Sequence, residues 1–110
     1  IVSSISDNRE NVIYIGASGK MLQNGTFKVR DGGMRYRLIN GTANDDHGVV
    51  VKRKKLWNKN MEKMKITEIK IRWWITFDEQ NQNISTCVEG RLIQAFYDIY
   101  GKLPEWNKSY

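Results

Sequence analysis

Residues 11–19 read NVIYIGASG, an apolar run carrying a tyrosine and broken off by small residues and two glycines. Val12, Ile13 and Ile15 are strand formers, and the glycines and serine behind them are turn formers, so the stretch reads as a strand running into a loop. The role of Tyr14 decides what that strand is for. Either its ring is ordinary core, or the strand end presents the phenol to a phosphate.

Working outward, residues 1–5 form a second β-branched run, joined to the first by the polar connector Asp7-Asn8-Arg9-Glu10. The two runs, 1–5 and 12–15, are expected to form a β-hairpin. A Gly-rich loop over 16–33 follows, with the turn pair Asn24-Gly25 inside it. A short helix is predicted over 34–39, closed by Asn40-Gly41 with the glycine as a left-handed cap. Residues 41–48 read as a polar loop. Over 49–64 the apolar residues recur at helical spacing, while Lys52, Arg53, Lys54, Lys55, Lys59 and Lys63 occupy the other face. Over 69–77, Ile69, Ile71, Trp73, Ile75 and Phe77 alternate with Lys70, Arg72, Trp74 and Thr76, the period of a strand. Trp73 is expected in the core, and Trp74 either under a helix or exposed for contact. A last helix over 85–100 presents Val88, Leu92, Ala95, Phe96 and Ile99 on one face. Ser85 or Thr86 is its expected cap, and Gly101 and Pro104 end it.

The order β-β-α-α-β-α predicts one α/β (α+β) domain over residues 1–110, a small three-stranded antiparallel sheet flanked by helices. A length of 110 residues, 40% hydrophobic and 27% charged, suits one globular domain with a modest core. Eighteen Lys and Arg against twelve Asp and Glu leave a net charge of +6, which points to a polyanionic partner and to nucleic acid first. A single cysteine, Cys87, and a single histidine, His47, exclude an internal disulfide and a zinc cluster. Cysteine usage fits a reducing, cytoplasmic setting. No apolar run approaches the roughly 20 residues of a membrane span, and no signal peptide is recognisable. The chain begins with Ile rather than Met, so a piece of a longer protein is expected.

Several residue types carry possible chemistry. Glu89 lies near the start of the last helix at the border of its buried face. There it is either a rigid carboxylate ligand for a divalent metal or simply a favourable acid near a helix N-terminus. Arg35 and Arg37, about 200° apart on the short helix, cannot share one face; either can grip phosphate oxygens or remain solvated. The run Lys52-Arg53-Lys54-Lys55 is either solvated helix surface or a set of backbone contacts to nucleic acid. The tryptophans and tyrosines can stack on bases. His47, in a polar loop, is a general base or incidental. No Gly-x-x-x-x-Gly-Lys-Ser/Thr loop and no Gly-x-Ser-x-Gly elbow occurs.

Taken in order, these features resemble the GIY-YIG nuclease superfamily over nearly the whole chain. The second family signature stands as Tyr14-Ile15-Gly16, the arginine-bearing pattern as Met34-Arg35-Tyr36-Arg37-Leu38, and the glutamate helix carries Glu89 before Leu92-Ile93. The resemblance implies Arg37 as the phosphate clamp and Glu89 as the ligand of one Mg²⁺ or Mn²⁺. It implies Tyr14 as a base or water-orienting group and Asn107 as a positioning hydrogen-bond donor. A base role for tyrosine, whose pKa is ordinarily about 10, needs a nearby cation. The first signature, Gly-Ile-Tyr, is absent; its tyrosine would fall just before Ile1, so truncation at the start is expected. Members often carry His or Tyr one turn past the arginine; here that position is Gly41, with Tyr36 or His47 as substitutes. The implied activity is metal-dependent cleavage of DNA, with a separate DNA-recognition domain or partner chain. A nuclease fold that only binds nucleic acid, or a protein-interaction domain, are the rival expectations.

Overall fold

The computed structural model describes residues 1–29 and 33–110. Asp7 and Asn8 both lie at positive φ, 49° and 61°, the mirror-image two-residue turn that Asp and Asn tolerate. That turn joins β1 (Val2–Ser6) to β2 (Arg9–Tyr14) in antiparallel register, with Ser6 opposite Arg9, Val2 opposite Tyr14 and a bulge between Val2 and Ser3. The tight turn leaves no four-residue connector, so β2 begins at Arg9 and not at Val12.

The expected loop over 16–33 contains a second hairpin, β3 (Lys20–Met21) with β4 (Phe27–Lys28). Its turn lies at Asn24-Gly25, where the Leu22 N–H donates to the Thr26 carbonyl at 2.8 Å. Residues 30–32 of that loop lie outside the described residues. Helix α1 (Gly33–Asn40) follows. Gly41 is not a left-handed cap: the positive-φ glycines do not include it. Its N–H donates to the Arg37 carbonyl at 3.0 Å, and a Cβ there would stand 2.1 Å from that oxygen. Close approach, not backbone handedness, demands glycine.

Residues 42–52 form a hairpin of β5 (Thr42–Asn44) and β6 (Val50–Lys52), so α2 (Arg53–Met64) begins at Arg53 rather than at Val49. Three consecutive valines favour a strand over a helix. Asp45 Oδ1 builds the turn by accepting from the His47 and Val49 amides, each at 2.9 Å.

Strand β7 (Glu68–Ile71) pairs with β1, giving a sheet in the order β2-β1-β7, antiparallel throughout. It stops well short of Phe77. Ile1 and Arg72 exchange two backbone hydrogen bonds at 2.9 Å, and β1 offers Trp73 nothing further to pair with. Trp73 is therefore not core but 69% exposed, and Trp74 is 60% exposed. Phe77 makes an isolated bridge to Gln82 and stacks its ring on Phe27 of β4 at 5.2 Å.

Helix α3 (Ser85–Tyr100) has the expected bounds and ends on Gly101 at φ 70°. Its N-cap is Ile84, without a capping side chain, rather than Ser85 or Thr86. The face turned inward also differs. Ser85 and Ile93 are buried, and Glu89 and Phe96 half-buried, whereas Leu92 and Ile99 are exposed. Two apolar stripes overlap on this helix, and packing selects the one that begins at Ser85.

Among the described residues the architecture is thus a three-stranded antiparallel sheet with three helices, as the element order predicts, plus two small hairpins. The core gathers Val2, Ile13, Trp57 and Trp106, with Leu38, Met61, Ile66, Ile69 and Ile71 packed around them. Trp106 comes from the segment after α3, which lies along the free edge of β2. Its N–H donates to the Ile13 carbonyl at 2.8 Å, its ring stands 5.2 Å from Trp57, and its Nε1–H donates to Met64 Sδ at 3.3 Å. No helix among the described residues is long and apolar enough to cross a membrane. Trp106→Ala should lower the unfolding free energy by about 3–5 kcal/mol, read as a lowered urea midpoint with an unchanged slope.

Candidate functional site

At the exit of β2 the sheet, all three helices and the C-terminal segment surround a cleft of about 610 Å³. Tyr14, Arg37, Glu89 and Asn107 all line it, together with Arg53 and Trp57. The residues singled out around Tyr-Ile-Gly, on the short helix and on the last helix therefore share one cavity.

Each side chain is held by its own local device. Tyr14 ends β2, and its ring folds back over Gly16: a Cβ on Gly16 would lie 2.7–3.0 Å from three Tyr14 ring and hydroxyl atoms. The glycine of Tyr-Ile-Gly makes room for the tyrosine. The ring meets Trp57 edge-on at 5.4 Å, and its hydroxyl accepts a hydrogen bond from Arg53 Nη1 at 3.2 Å. Arg37 projects from α1 and donates through Nη1 to the Ala17 carbonyl. Asn107 grips the backbone just beyond β2. Its Oδ1 accepts from the Ile15 N–H at 2.9 Å, and its Nδ2 donates to the Ile15 carbonyl at 2.8 Å.

Glu89, in the second turn of α3, is half-buried at the cleft wall. That burial pushes its carboxyl above the ordinary value of 4.5, against the opposing pull of the Arg37 charge and the Ala17 amide. Of the other carboxylates on the wall, Asp46 pairs with Lys108, and Glu105 pairs with Lys102 at 3.4 Å. Among the described residues no three His, Cys, Asp or Glu groups converge. A lone carboxylate does not make a thiolate or imidazole centre. It does suit Mg²⁺ or Mn²⁺, which keep several waters and complete their shell with substrate oxygens.

The remaining basic residues divide. Arg53 is 8% exposed and points into the cleft, while Lys52, Lys54 and Lys55 are exposed and do not line it. Arg35 is likewise exposed on α1, outside the cleft, as are Tyr36 and the hairpin residue His47. The inward position of Arg53 has a sequence signal that a polar-face reading of the basic run passes over: it lies four and eight residues before Trp57 and Met61, on one helix face. Lys63 also lines the cleft. A second groove of about 620 Å³ runs between residues 73–77 and α3, and it shares Ala17 and Glu89 with the cleft.

No protein-family model matches the chain, and no curated protein or solved structure matches it either.

Because the folded state holds the Glu89 proton more tightly than the unfolded chain, this group's contribution to stability declines as pH rises from 4.5 through the raised value. Glu89→Gln removes that decline, and Arg37→Gln raises the Glu89 carboxyl further, both readable by denaturation against pH and carboxyl carbon NMR. Asn107→Ala leaves the Ile15 amide and carbonyl without their partner, at a cost of about 1–3 kcal/mol. Hydrogen exchange at Ile15 should accelerate accordingly.

Proposed function

We propose that this domain is a metal-dependent endonuclease of the GIY-YIG kind, which hydrolyses DNA phosphodiester bonds. The observation that carries the reading is the meeting of Tyr14, Arg37 and Glu89 in one cleft of a chain with a net charge of +6. Phosphodiester hydrolysis needs an oriented water, a grip on the phosphate oxygens and a counter-charge as the departing oxygen develops its own. A divalent cation bound at Glu89 would supply that counter-charge. Arg37, fixed to the Ala17 carbonyl and aimed at the same wall, grips the non-bridging oxygens. The Tyr14 hydroxyl accepts from Arg53, which leaves its own proton to donate into the cleft and to orient a water. Asn107 acts through the backbone: with both amide groups on Ile15, it positions the strand end that carries Tyr14.

The exposed Trp73 and Trp74 lie in the groove that shares Glu89 with the cleft, and they offer ring faces to bases flanking the scissile bond. Lys52, Lys54 and Lys55, outside the cleft, are sequence-independent contacts to the backbone. A separate domain or partner chain reads the DNA sequence, since none of these contacts is specific to a base.

Plasmid nicking with Mg²⁺ tests the reading. Glu89→Gln and Arg37→Gln should each reduce nicking by on the order of 100-fold or more, and activity should fall as added salt screens the DNA contacts. Unchanged nicking by Glu89→Gln would remove Glu89 from the site. A parent chain that binds DNA in a salt-dependent way but neither nicks it nor binds Mg²⁺ would instead be a nucleic-acid-binding module on this fold. Gly16→Ala, which displaces the Tyr14 ring from Trp57 and Arg53, should lower activity.

A further inference from the structure

Arg53 is a buried charge that no carboxylate answers among the described residues. Its side chain is more than nine-tenths buried at the cleft wall. An arginine is always charged, and a buried charge is normally paired or fully hydrogen-bonded. Here Nη1 donates to the Tyr14 hydroxyl at 3.2 Å and Nη2 donates weakly to the Thr42 carbonyl at 3.4 Å, while Nε is buried with no partner. Among the described residues no carboxylate forms an ion pair with it. The guanidinium instead lies 5.6 Å and 5.5 Å from the ring centroids of Tyr14 and Trp57. Such contacts offset part of the desolvation but satisfy no N–H group.

The neighbouring charges sharpen the contrast. Arg37 faces Glu89, and the Coulomb interaction between them lowers the Glu89 carboxyl. Lys108, also on the cleft wall, is paired with Asp46. Arg53 thus provides a fixed positive charge in the cleft with a donor fork that is only partly filled, flanked by two aromatic rings. That combination selects a planar or tetrahedral oxyanion, and the fork geometry suits two oxygens of one phosphate.

We propose that Arg53 forms a phosphate-binding subsite in this cleft that takes a phosphate of the bound nucleic-acid backbone adjoining the one held by Arg37. The identity of the ligand as nucleic acid rests on the proposed function; the anion site itself rests on Arg53 alone. Phosphate binding at Arg53 requires neither metal nor cleavage, so the two readings fail separately.

The test uses the full chain, labelled with ¹⁵N and titrated with sodium phosphate against sodium chloride at matched ionic strength. The Arg53 Nε–Hε resonance should shift and become protected from exchange in phosphate but not in chloride. Arg53→Gln should weaken phosphate binding at least about tenfold, the effect of one charge-assisted hydrogen bond. Arg53→Lys, which keeps the charge but loses the fork, should fall between. Near-UV circular dichroism of the tryptophans reports whether each variant keeps its packing. An Nε–Hε resonance that responds identically to phosphate and chloride overturns the proposal, whether or not Arg53→Gln folds. So does a folded Arg53→Gln that binds phosphate as tightly as the parent. Binding of phosphate at Arg53 in a chain that never cuts DNA would uphold the anion site and leave only the nuclease reading to fall.

Discussion

Everything in the cleft depends on how the chain leaves β2. Residues 13–17 span the end of the edge strand β2 and the segment just beyond it, with backbone groups that the sheet itself does not pair. The segment after α3 supplies what a further strand would: Trp106 takes the Ile13 carbonyl, and the Asn107 amide closes on both backbone groups of Ile15. Once that exit is held, its side chains and carbonyls become fixed points. Tyr14 lies on Trp57 and Arg53, the Ala17 carbonyl receives Arg37, and the Ala17 amide acts on Glu89. A slip of one residue would turn Tyr14 to the opposite face and dismantle the site.

The aromatic cluster is the counterpart of this hydrogen-bonded edge. Trp57 and Trp106 pack against the sheet, and the same Trp57 ring flanks Arg53. Core and site share a wall. That sharing explains how a small domain keeps a poorly satisfied guanidinium in place: dispersion and ring electrostatics hold the side chain, while Nε–H is left without a partner. The ion pairs among the described residues, by contrast, lie on exposed side chains and contribute little to stability.

Much of the secondary structure is legible along the chain. The hairpin of the first two runs, the Asn24-Gly25 turn and the full extent of α3 follow from local pattern and turn chemistry. Misreadings arise where a local pattern has two solutions. Val49-Val50-Val51 continues a helical periodicity yet consists of residues that prefer strands, and pairing with residues 42–44 settles the matter. The alternation through Trp73 to Phe77 is real, but a strand needs a neighbour, and β1 provides one only as far as Ile71. On α3 two apolar stripes compete, and spacing alone does not choose between Leu92 and Ile93. The expectation that Tyr14, Arg37 and Glu89 belong together comes from the order of short motifs, and the three do line one cleft. Arg53 was hidden in a basic run, because charge count says nothing about which lysine or arginine turns inward.

By itself the sequence determined the class of fold, the order of its main elements, the positive charge and the presence of a tyrosine, an arginine and a glutamate at motif spacing. These are properties of nearest neighbours and of composition, carried by propensities, turns and periodicity. Tertiary structure alone decided that those residues share a cleft, that Asn107 serves the backbone of Ile15, that Trp73 faces solvent and that Arg53 is buried. Each of these depends on contacts between segments distant along the chain, and no local preference encodes which of them will meet.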